Sequence, residues 1–197
     1  MKKLVLATNN QHKASEIGEF LSSSKLRILS LQDFPELRMP EEDCSTFTGN
    51  AIKKAETVSA YTGLPAMADD SGLEVDFLGG RPGVRSARYA GEGSSDKENN
   101  ELLLKELKGI PPEKRGARFK CVIAIVIPGT AAKTVEGQCR GRIAEAPKGD
   151  GGFGYDPLFI YKPSGLTFAQ MITIEKSKVS HRGIALRKAC NLLSKIL

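Results

Sequence analysis

Apolar and polar positions in the first part of the chain predict a strand, a helix and a second strand. Residues 2–8 form a nearly continuous apolar run with polar ends, which is typical of a strand that is covered on both faces. After Asn10 the apolar positions recur at helical spacing, with Ile17 and Leu21 on the same side. Residues 26–31 return to a strand-like pattern. The chain therefore opens as a β-α-β unit.

The rest of the chain also mixes helices with strands. Two adjacent acids followed by Ser71-Gly72 predict a turn at residues 69–72, because Asp, Ser and Gly favour turns. Alternating runs at 117–128 and 133–147 predict a long hairpin. The other predicted elements are a helix at 48–61, strands at 65–68 and 73–75, a helix at 95–108 and a closing helix at 180–197. This mixture predicts an α/β fold, with helices flanking a mixed sheet.

Length and composition narrow the class of protein. The chain has 197 residues, of which 40% are hydrophobic and 26% charged, so we expect one soluble domain spanning residues 1–197. No apolar run approaches the roughly 20 residues that cross a bilayer, and we expect no membrane partner. The four cysteines are scattered without a Cys-x-x-Cys pair, which argues against a zinc site or a disulfide framework. A reduced, cytoplasmic setting is therefore predicted.

The charge of the chain points to an anionic partner. Its formal net charge is +6 and its isoelectric point is near 9.1. A basic chain of this kind suits a nucleic acid, a phosphate-bearing small molecule or merely a solvated surface. Composition alone leaves these three possibilities open.

The junction between the first strand and the first helix is a candidate anion site. A helix start offers unpaired N–H groups and the positive end of a dipole, and Lys13 lies one turn into the helix. The simpler interpretation is a capped helix with a solvated lysine, and the stretch alone favours it. It is not a P-loop, because the G-x-x-x-x-G-K-[ST] pattern is absent. The candidate residues are Thr8, Asn9, Asn10, Gln11, His12 and Lys13.

Asp69 and Asp70 follow an apolar strand directly and are candidates for chemistry. Successive strand residues point to opposite faces, so the two acids should have different tasks. One can hold a divalent cation or a polarised water, and the other can orient the backbone. An Asx-turn explains one such acid, but two at the end of an apolar strand favour a functional carboxylate, since ligands gather at strand ends in α/β sheets.

Two further motifs lie in the last third of the chain. "GGFGYDP" combines glycines, which let a backbone approach a ligand closely, with two aromatic rings that suit a base or simply pack inward. "EKSKVSHRG" places His181 and Arg182 at a helix start, where positive charge opposes the dipole and an anionic or carbonyl-bearing ligand would relieve the conflict. The whole inventory suits a metal-bound nucleotide better than a bare polynucleotide. A nucleic-acid-binding module that uses Arg81, Arg85 and Arg88 is the competing class.

Five motifs in the same order carry a resemblance to a known family. They are "LATNNQHK", "TFTGNAIKKA", "ADDSGLEVDFLGGRPGVRSARYAG", "GGFGYDPLF" and "EKSKVSHRGIAL". With them the chain resembles the inosine triphosphate pyrophosphatase family, the dITP/XTP pyrophosphatases that hydrolyse non-standard purine nucleoside triphosphates. The resemblance implies an elongated mixed sheet with two helical lobes and a nucleotide cleft, Mg²⁺ as cofactor, a homodimer and no stable nucleic-acid partner.

The resemblance also implies roles for the residues in the first motifs. Residues 8–13 would hold the triphosphate with Lys54 nearby, and Ser71 would contact substrate. Asp70 would be both the proton acceptor and a metal ligand. Glu41 or Glu42 would supply a further metal carboxylate, and the spacing to the next motif favours Glu42.

The last two motifs would surround the base. The implied reaction converts a triphosphate and water into a monophosphate and pyrophosphate, and hydrogen-bond donors from His181-Arg182 would select a purine 6-oxo group over adenine. A pyrophosphatase for a damaged pyrimidine nucleotide is the second enzymatic alternative. Many family members carry Glu where this chain has Gly49, so any contact from that side chain is missing here. The implied base-binding residues are Phe153, Gly154, Tyr155, Asp156, Lys176, His181 and Arg182.

Overall fold

The computed structural model describes residues 2–22 and 25–197, and its elements follow the predicted mixture of helices and strands. The strands are β1 (Lys2–Leu6), β2 (Leu26–Leu29), β3 (Ala66–Val75), β4 (Gly116–Val126), β5 (Lys133–Ile143) and β6 (Phe159–Tyr161). The helices are α1 (Gln11–Leu21), α2 (Phe47–Thr62), α3 (Asp96–Glu106), α4 (Thr173–Val179) and α5 (His181–Ile196), with short 3₁₀ turns in the connections.

The strands form a six-stranded mixed sheet in the order β2-β1-β3-β4-β5-β6. Strand β1 runs parallel to both β2 and β3, whereas β5 and β6 are antiparallel. The predicted α/β class with a mixed sheet is therefore confirmed, and the two long strands expected as a hairpin are neighbours as β4 and β5. The sequence pattern did not reveal β6 or the separate helix α4.

The turn predicted at residues 69–72 is wrong, because β3 runs without interruption from Ala66 to Val75. Asp69, Asp70 and Gly72 are buried within it, and apolar Leu73 resumes the buried pattern. The strand lies between β1 and β4 in the sheet order. Its place within the sheet overrides the local turn preference of Asp, Ser and Gly, as tertiary context often does for strands.

Chain contacts divide the protein into two compact units, and the expectation of one domain over 1–197 stays a prediction. The first unit comprises Met1–Asp70, Cys121–Glu136 and Ala185–Leu197, and the second comprises Ser71–Lys120 and Gly137–Ile184. Each has its own apolar core. The first core includes Leu4, Ile17, Met67, Ile123 and Leu186. The second includes Leu73, Leu103, Phe119, Phe159 and Phe168.

The structure also bears on the expectations about membrane-spanning segments and about the state of the cysteines. Within residues 2–22 and 25–197, no helix is both long and apolar enough to span a bilayer. All four cysteines, Cys44, Cys121, Cys139 and Cys190, are free thiols. The absence of a disulfide framework therefore agrees with the scattered spacing of these residues.

Candidate active site

Helix α1 begins with a cap and directs Lys13 at the first acid of β3. The Asn10 side chain accepts a hydrogen bond from the backbone N–H of Lys13 at 3.0 Å, and Thr8 Oγ1 accepts one from the N–H of Asn10. This cap satisfies an N–H group that has no partner within the helix. The Lys13 ammonium then lies 3.0 Å from Asp69 Oδ2, whose side chain is fully buried. Lys13 is therefore not the solvated lysine of the simpler interpretation.

The neighbouring acid, Asp70, is held from helix α2. Asn50 donates from Nδ2 to Asp70 Oδ2 at 3.0 Å, and its Oδ1 accepts from the backbone N–H of Cys44 at 3.0 Å. Asn50 is only 1% exposed, so both halves of its amide are used in the interior. Through this one residue the loop before α2 and the carboxylate of β3 are fixed together.

Lys54, one turn further along α2, gathers three acceptors. Its Nζ lies 2.6 Å from Glu42 Oε1 and 3.7 Å from Asp70 Oδ1, and it donates to the backbone carbonyl of Asp69 at 2.6 Å. We refer to these residues as the acid–lysine cluster: Lys13, Glu42, Asn50, Lys54, Asp69 and Asp70. A buried positive charge of this kind is tolerated because its partners surround it.

The electrostatics of the cluster follow from burial and pairing. Burial raises the pKa of Asp70, and the positive charges of Lys54 and Lys13 oppose that rise without cancelling it. Burial lowers the pKa of Lys54, but the carboxylates of Asp69, Asp70 and Glu42 outweigh it, so the pKa of Lys54 is raised overall. The lysine thus stays charged, while the carboxylate of Asp70 becomes a better proton acceptor than an exposed one.

The structure separates the two glutamates that the sequence left as alternatives. Glu42 is half-buried and contacts Lys54, whereas Glu41 is exposed. In the part of the chain that the structure describes, no group of three or more His, Cys, Asp or Glu side chains could hold a metal ion by itself. The carboxylates of Glu42 and Asp70 nevertheless offer the oxygen ligands that hard divalent cations prefer.

A second cluster forms around the ring of Phe153. The Lys176 ammonium lies 5.3 Å from the ring centroid, and the Arg182 guanidinium carbon lies at the same distance. Asp156, which is buried, accepts from Lys176 Nζ at 2.5 Å and from the Phe153 N–H at 3.0 Å. We refer to Phe153, Asp156, Lys176 and Arg182 as the Phe153 cluster. Two cations against one aromatic ring form a site that can accept a flat, carbonyl-bearing group.

Helix α5 places its first two residues in the interior. Ser180 caps the helix by accepting from the N–H of Gly183 at 3.1 Å. The Arg182 guanidinium donates to Ser71 Oγ at 3.0 Å, and Ser71 directly follows Asp70 in β3. The His181 ring stacks on Phe119 at 4.6 Å with an angle of 10° between the planes. His181 and Arg182 are 5% and 4% exposed, so the cationic helix start is not a solvated face.

Other predicted site residues occupy structural or exposed positions. Tyr155 is buried and donates from its hydroxyl to the Ser86 carbonyl at 2.9 Å, so its ring packs inward rather than facing a ligand. Gly154 is held by hydrogen bonds from helix α3. Asn9, Gln11 and His12 are exposed at the start of α1.

Asn50 is the site residue that the sequence did not single out. It was visible only as part of "TFTGNAIKKA", although it precedes Lys54 by four residues and therefore shares a helix face with it. That spacing is the signal from which its place beside Asp70 could have been inferred. The structure also explains why glycine occupies position 49, since a Cβ on Gly49 would lie 2.9 Å from Cys44 Cβ. Any side chain larger than hydrogen at this position would require a shift of Cys44.

The fold and the two clusters define a class of α/β protein that holds paired carboxylates and lysines beside one strand and cations around an aromatic ring. The chain matches the model of the Ham1 family over residues 4–192. It therefore belongs to the Ham1 family.

Comparisons with individual proteins agree with this assignment. A dITP/XTP pyrophosphatase from Desulforamulus reducens is 50% identical over 98% of this chain and 96% of its own length. One from Geobacter sulfurreducens is 50% identical over 94% of each chain. The solved HAM1 protein from Coxiella burnetii superposes with a TM-score of 0.92 at 38% identity, covering 99% of this chain and all of that one. A nucleoside-triphosphatase / dITP/XTP pyrophosphatase from Mycobacterium abscessus has a TM-score of 0.80 at 42% identity, covering 95% and 98%. The expected family is confirmed.

Proposed function

We propose that this protein hydrolyses non-standard purine nucleoside triphosphates such as ITP, dITP and XTP to the monophosphate and pyrophosphate, with Mg²⁺ as cofactor. Its relatives named dITP/XTP pyrophosphatase cover nearly the whole chain at about half identity. The observation that carries the proposal is the environment of three consecutive residues of β3. Asp69 pairs with Lys13, Asp70 lies against Lys54, and Ser71 accepts from Arg182.

The acid–lysine cluster supports binding of a metal-loaded triphosphate. Glu42 and Asp70 would hold Mg²⁺ through their carboxylate oxygens, which lie close together because both are near Lys54 Nζ, at 2.6 Å and 3.7 Å. Bound there, the ion would neutralise the polyphosphate and polarise the phosphorus to be attacked. Lys13 and Lys54 would share the negative charge that grows on the phosphate oxygens. The capped start of α1 would contribute its backbone N–H groups to the same end of the substrate.

Asp70 is the proposed general base. Its Oδ2 accepts a hydrogen bond from Asn50, which fixes the side chain, and we expect this carboxylate to take the proton from the attacking water. The resulting hydroxide would add to the α-phosphorus, and the bond from this phosphorus to the oxygen that bridges it to the β-phosphorus would break. That oxygen leaves with the pyrophosphate.

The Phe153 cluster supports recognition of the base. A flat ring beside two cations offers stacking together with hydrogen-bond donors, and His181 lies at the same helix start as Arg182. Donors suit the 6-oxo group of hypoxanthine and xanthine, whereas adenine presents an amino donor at that position. Donors left unpaired by adenine would reject ATP by up to several orders of magnitude.

A panel of triphosphates tests the proposed function. Purified protein is incubated with ITP, dITP, XTP, ATP, GTP and damaged pyrimidine triphosphates, with Mg²⁺ present or chelated, and pyrophosphate and orthophosphate are measured separately by phosphorus NMR. We expect pyrophosphate as the first product from ITP, dITP and XTP, only with the metal. Preference for a damaged pyrimidine nucleotide would favour the second enzymatic alternative. Orthophosphate as the first product would contradict the cleavage position.

The competing nucleic-acid module has less support. Two of its three arginines face carboxylates: Arg81 lies 3.1 Å from Glu106, and Arg88 lies 3.2 Å from Glu92.

Homodimer formation and a cytoplasmic setting stay predictions, and the four free thiols are compatible with a reducing compartment. Sedimentation of the purified chain measures the first of these two predictions.

A further inference from the structure

Two side chains of helix α3 hold the loop that carries Phe153. They bind the backbone N–H and the backbone carbonyl of one loop residue, Gly154. The N–H of Gly154 donates to Asp96 Oδ2 at 2.6 Å, and its carbonyl accepts from Asn100 Nδ2 at 2.9 Å. Asp96 and Asn100 are four residues apart and therefore lie on one face of the helix. Gly154 has a φ of 62°, which favours glycine, so the backbone turns here in the conformation that presents both groups. We call this pair of contacts the Gly154 clamp.

The start of α3 is itself firmly anchored. Ser95 and Glu98 form a capping box, in which each backbone N–H donates to the side chain of the other residue. Asn99 is 2% exposed, accepts from the N–H of Ala90 and donates to the carbonyl of Ala87. A helix start with these contacts is a rigid support from which two side chains can fix a loop.

The clamp acts on the residue next to the proposed base-stacking ring. Phe153 has its own N–H on Asp156, and its ring faces Lys176 and Arg182. A shift of Gly154 would rotate the Phe153 backbone and carry the ring away from both cations. The position of the ring therefore depends on a helix that contributes no residue to the Phe153 cluster.

We propose that Asp96 and Asn100 are positioning residues for purine-base recognition, an inference that rests on the proposed function. They act through Gly154 on the orientation of Phe153, and neither residue belongs to the acid–lysine cluster. Loss of one clamp contact should therefore raise KM for ITP and weaken the preference for ITP over ATP, while kcat changes little. One hydrogen bond to a charged or buried group corresponds to a change of about tenfold in KM.

The test compares substitutions that remove a contact with one that keeps it. Asp96→Ala removes the acceptor, and Asn100→Asp removes the donor at nearly constant shape. Both should raise KM for ITP about tenfold and lower the ITP preference, with kcat within about twofold. Asp96→Asn retains an acceptor oxygen and should restore most of the wild-type KM. Lys97→Ala, on the same exposed helix start, is the matched control, and its thermal unfolding and kinetics should equal those of wild type.

Amide hydrogen exchange of residues 150–156 measures the clamp without using activity. We expect these amides to exchange at least about fivefold faster in Asp96→Ala than in Lys97→Ala, because a hydrogen bond is lost. Unchanged exchange, or an Asp96→Asn variant as impaired as Asp96→Ala, would overturn the inference. If the wild type hydrolyses ITP as proposed but both clamp variants keep its KM and selectivity, this inference is overturned and the proposed function stands. An inactive wild-type chain would instead overturn the proposed function together with the substrate part of this inference.

Discussion

At the scale of single residues, the chemistry depends on two carboxylates that the fold buries and then pairs. Asp69 and Asp70 are 1% and 5% exposed, and an unpaired charge in such a place would be strongly unfavourable. Each therefore has a lysine partner from a different helix, Lys13 from α1 and Lys54 from α2. The strand's alternation sends the adjacent acids to different partners, as the sequence suggested. Their close environment could not be predicted, because it depends on side chains far apart in the chain.

Replacement of Asp70 by asparagine should nearly abolish turnover. The amide keeps the shape of the side chain but cannot accept the proton from water, so kcat for ITP should fall by at least about 10²-fold. Pyrophosphate release under saturating Mg²⁺ and ITP measures the effect. Asp43→Asn makes the same isosteric change at an exposed carboxylate that pairs with Lys53, and its kcat should match wild type. Turnover of the Asp70 variant near the wild-type rate would remove this residue from the mechanism.

Replacement of Arg182 by alanine should mainly alter the choice of base. The variant loses the guanidinium beside Phe153 and its hydrogen bond to Ser71 Oγ. The ratio of kcat/KM for ITP to that for ATP should fall by about tenfold or more, since the donor that favours a 6-oxo group is gone. Lys178→Ala, at an exposed cation of the same motif, is the control. A variant that keeps the wild-type ratio would show that the base is recognised elsewhere.

At the scale of secondary structure, the hydrophobic pattern predicted an element well where a single helical or strand period dominated. It failed where pairing between strands determined the structure. Helix α2 begins after Thr46, whose side chain caps it, and ends at Gly63 with a left-handed φ of 65°, close to the predicted boundaries. Strand β3 was interrupted in the prediction because Asp-Asp-Ser-Gly resembles a turn. Strand β6 and helix α4 are three and seven residues long, too short for a periodic signal.

The junction of α4 and α5 offers a stability test at this scale. A Cβ on Gly183 would lie 1.8 Å from the Ser177 carbonyl oxygen, so only glycine allows the two helices to meet this closely. Gly183→Ala should lower the free energy of unfolding by about 2–3 kcal/mol through overpacking. Gly18→Ala is the matched control, because a Cβ there meets nothing within 4 Å inside helix α1. It should raise the stability by roughly 0.5–1 kcal/mol.

Urea unfolding followed by circular dichroism measures both glycine variants. A Gly183→Ala protein as stable as wild type would mean that the helix junction relaxes at little cost. The same variant carries a kinetic consequence, since Ser180, His181 and Arg182 share that junction. If it folds, its preference for ITP over ATP should be reduced, whereas Gly18→Ala should keep it.

At the scale of the whole molecule, motif order was more informative than composition. Five weak motifs in one order indicated the family and most of the side chains in the two clusters, because a shared fold keeps such residues at corresponding places. The net charge of +6 left nucleic acid and nucleotide equally open. The sequence left inward packing and base contact both open for Tyr155, and it favoured Glu42 over Glu41 by spacing alone, since both outcomes depend on how loops pack.

Binding to polynucleotides is the whole-molecule prediction that separates the two classes. Two of the three arginines of the competing module face glutamates, and both lysines of the acid–lysine cluster face the acids of β3. A neutralised cation releases few phosphate counterions, so fluorescence anisotropy with labelled single-stranded RNA or duplex DNA should show no binding at micromolar protein and physiological salt. A triple Arg81→Ala, Arg85→Ala, Arg88→Ala variant should keep wild-type ITP turnover. Tight binding that weakens steeply with salt, and is lost in this variant, would instead favour the nucleic-acid module.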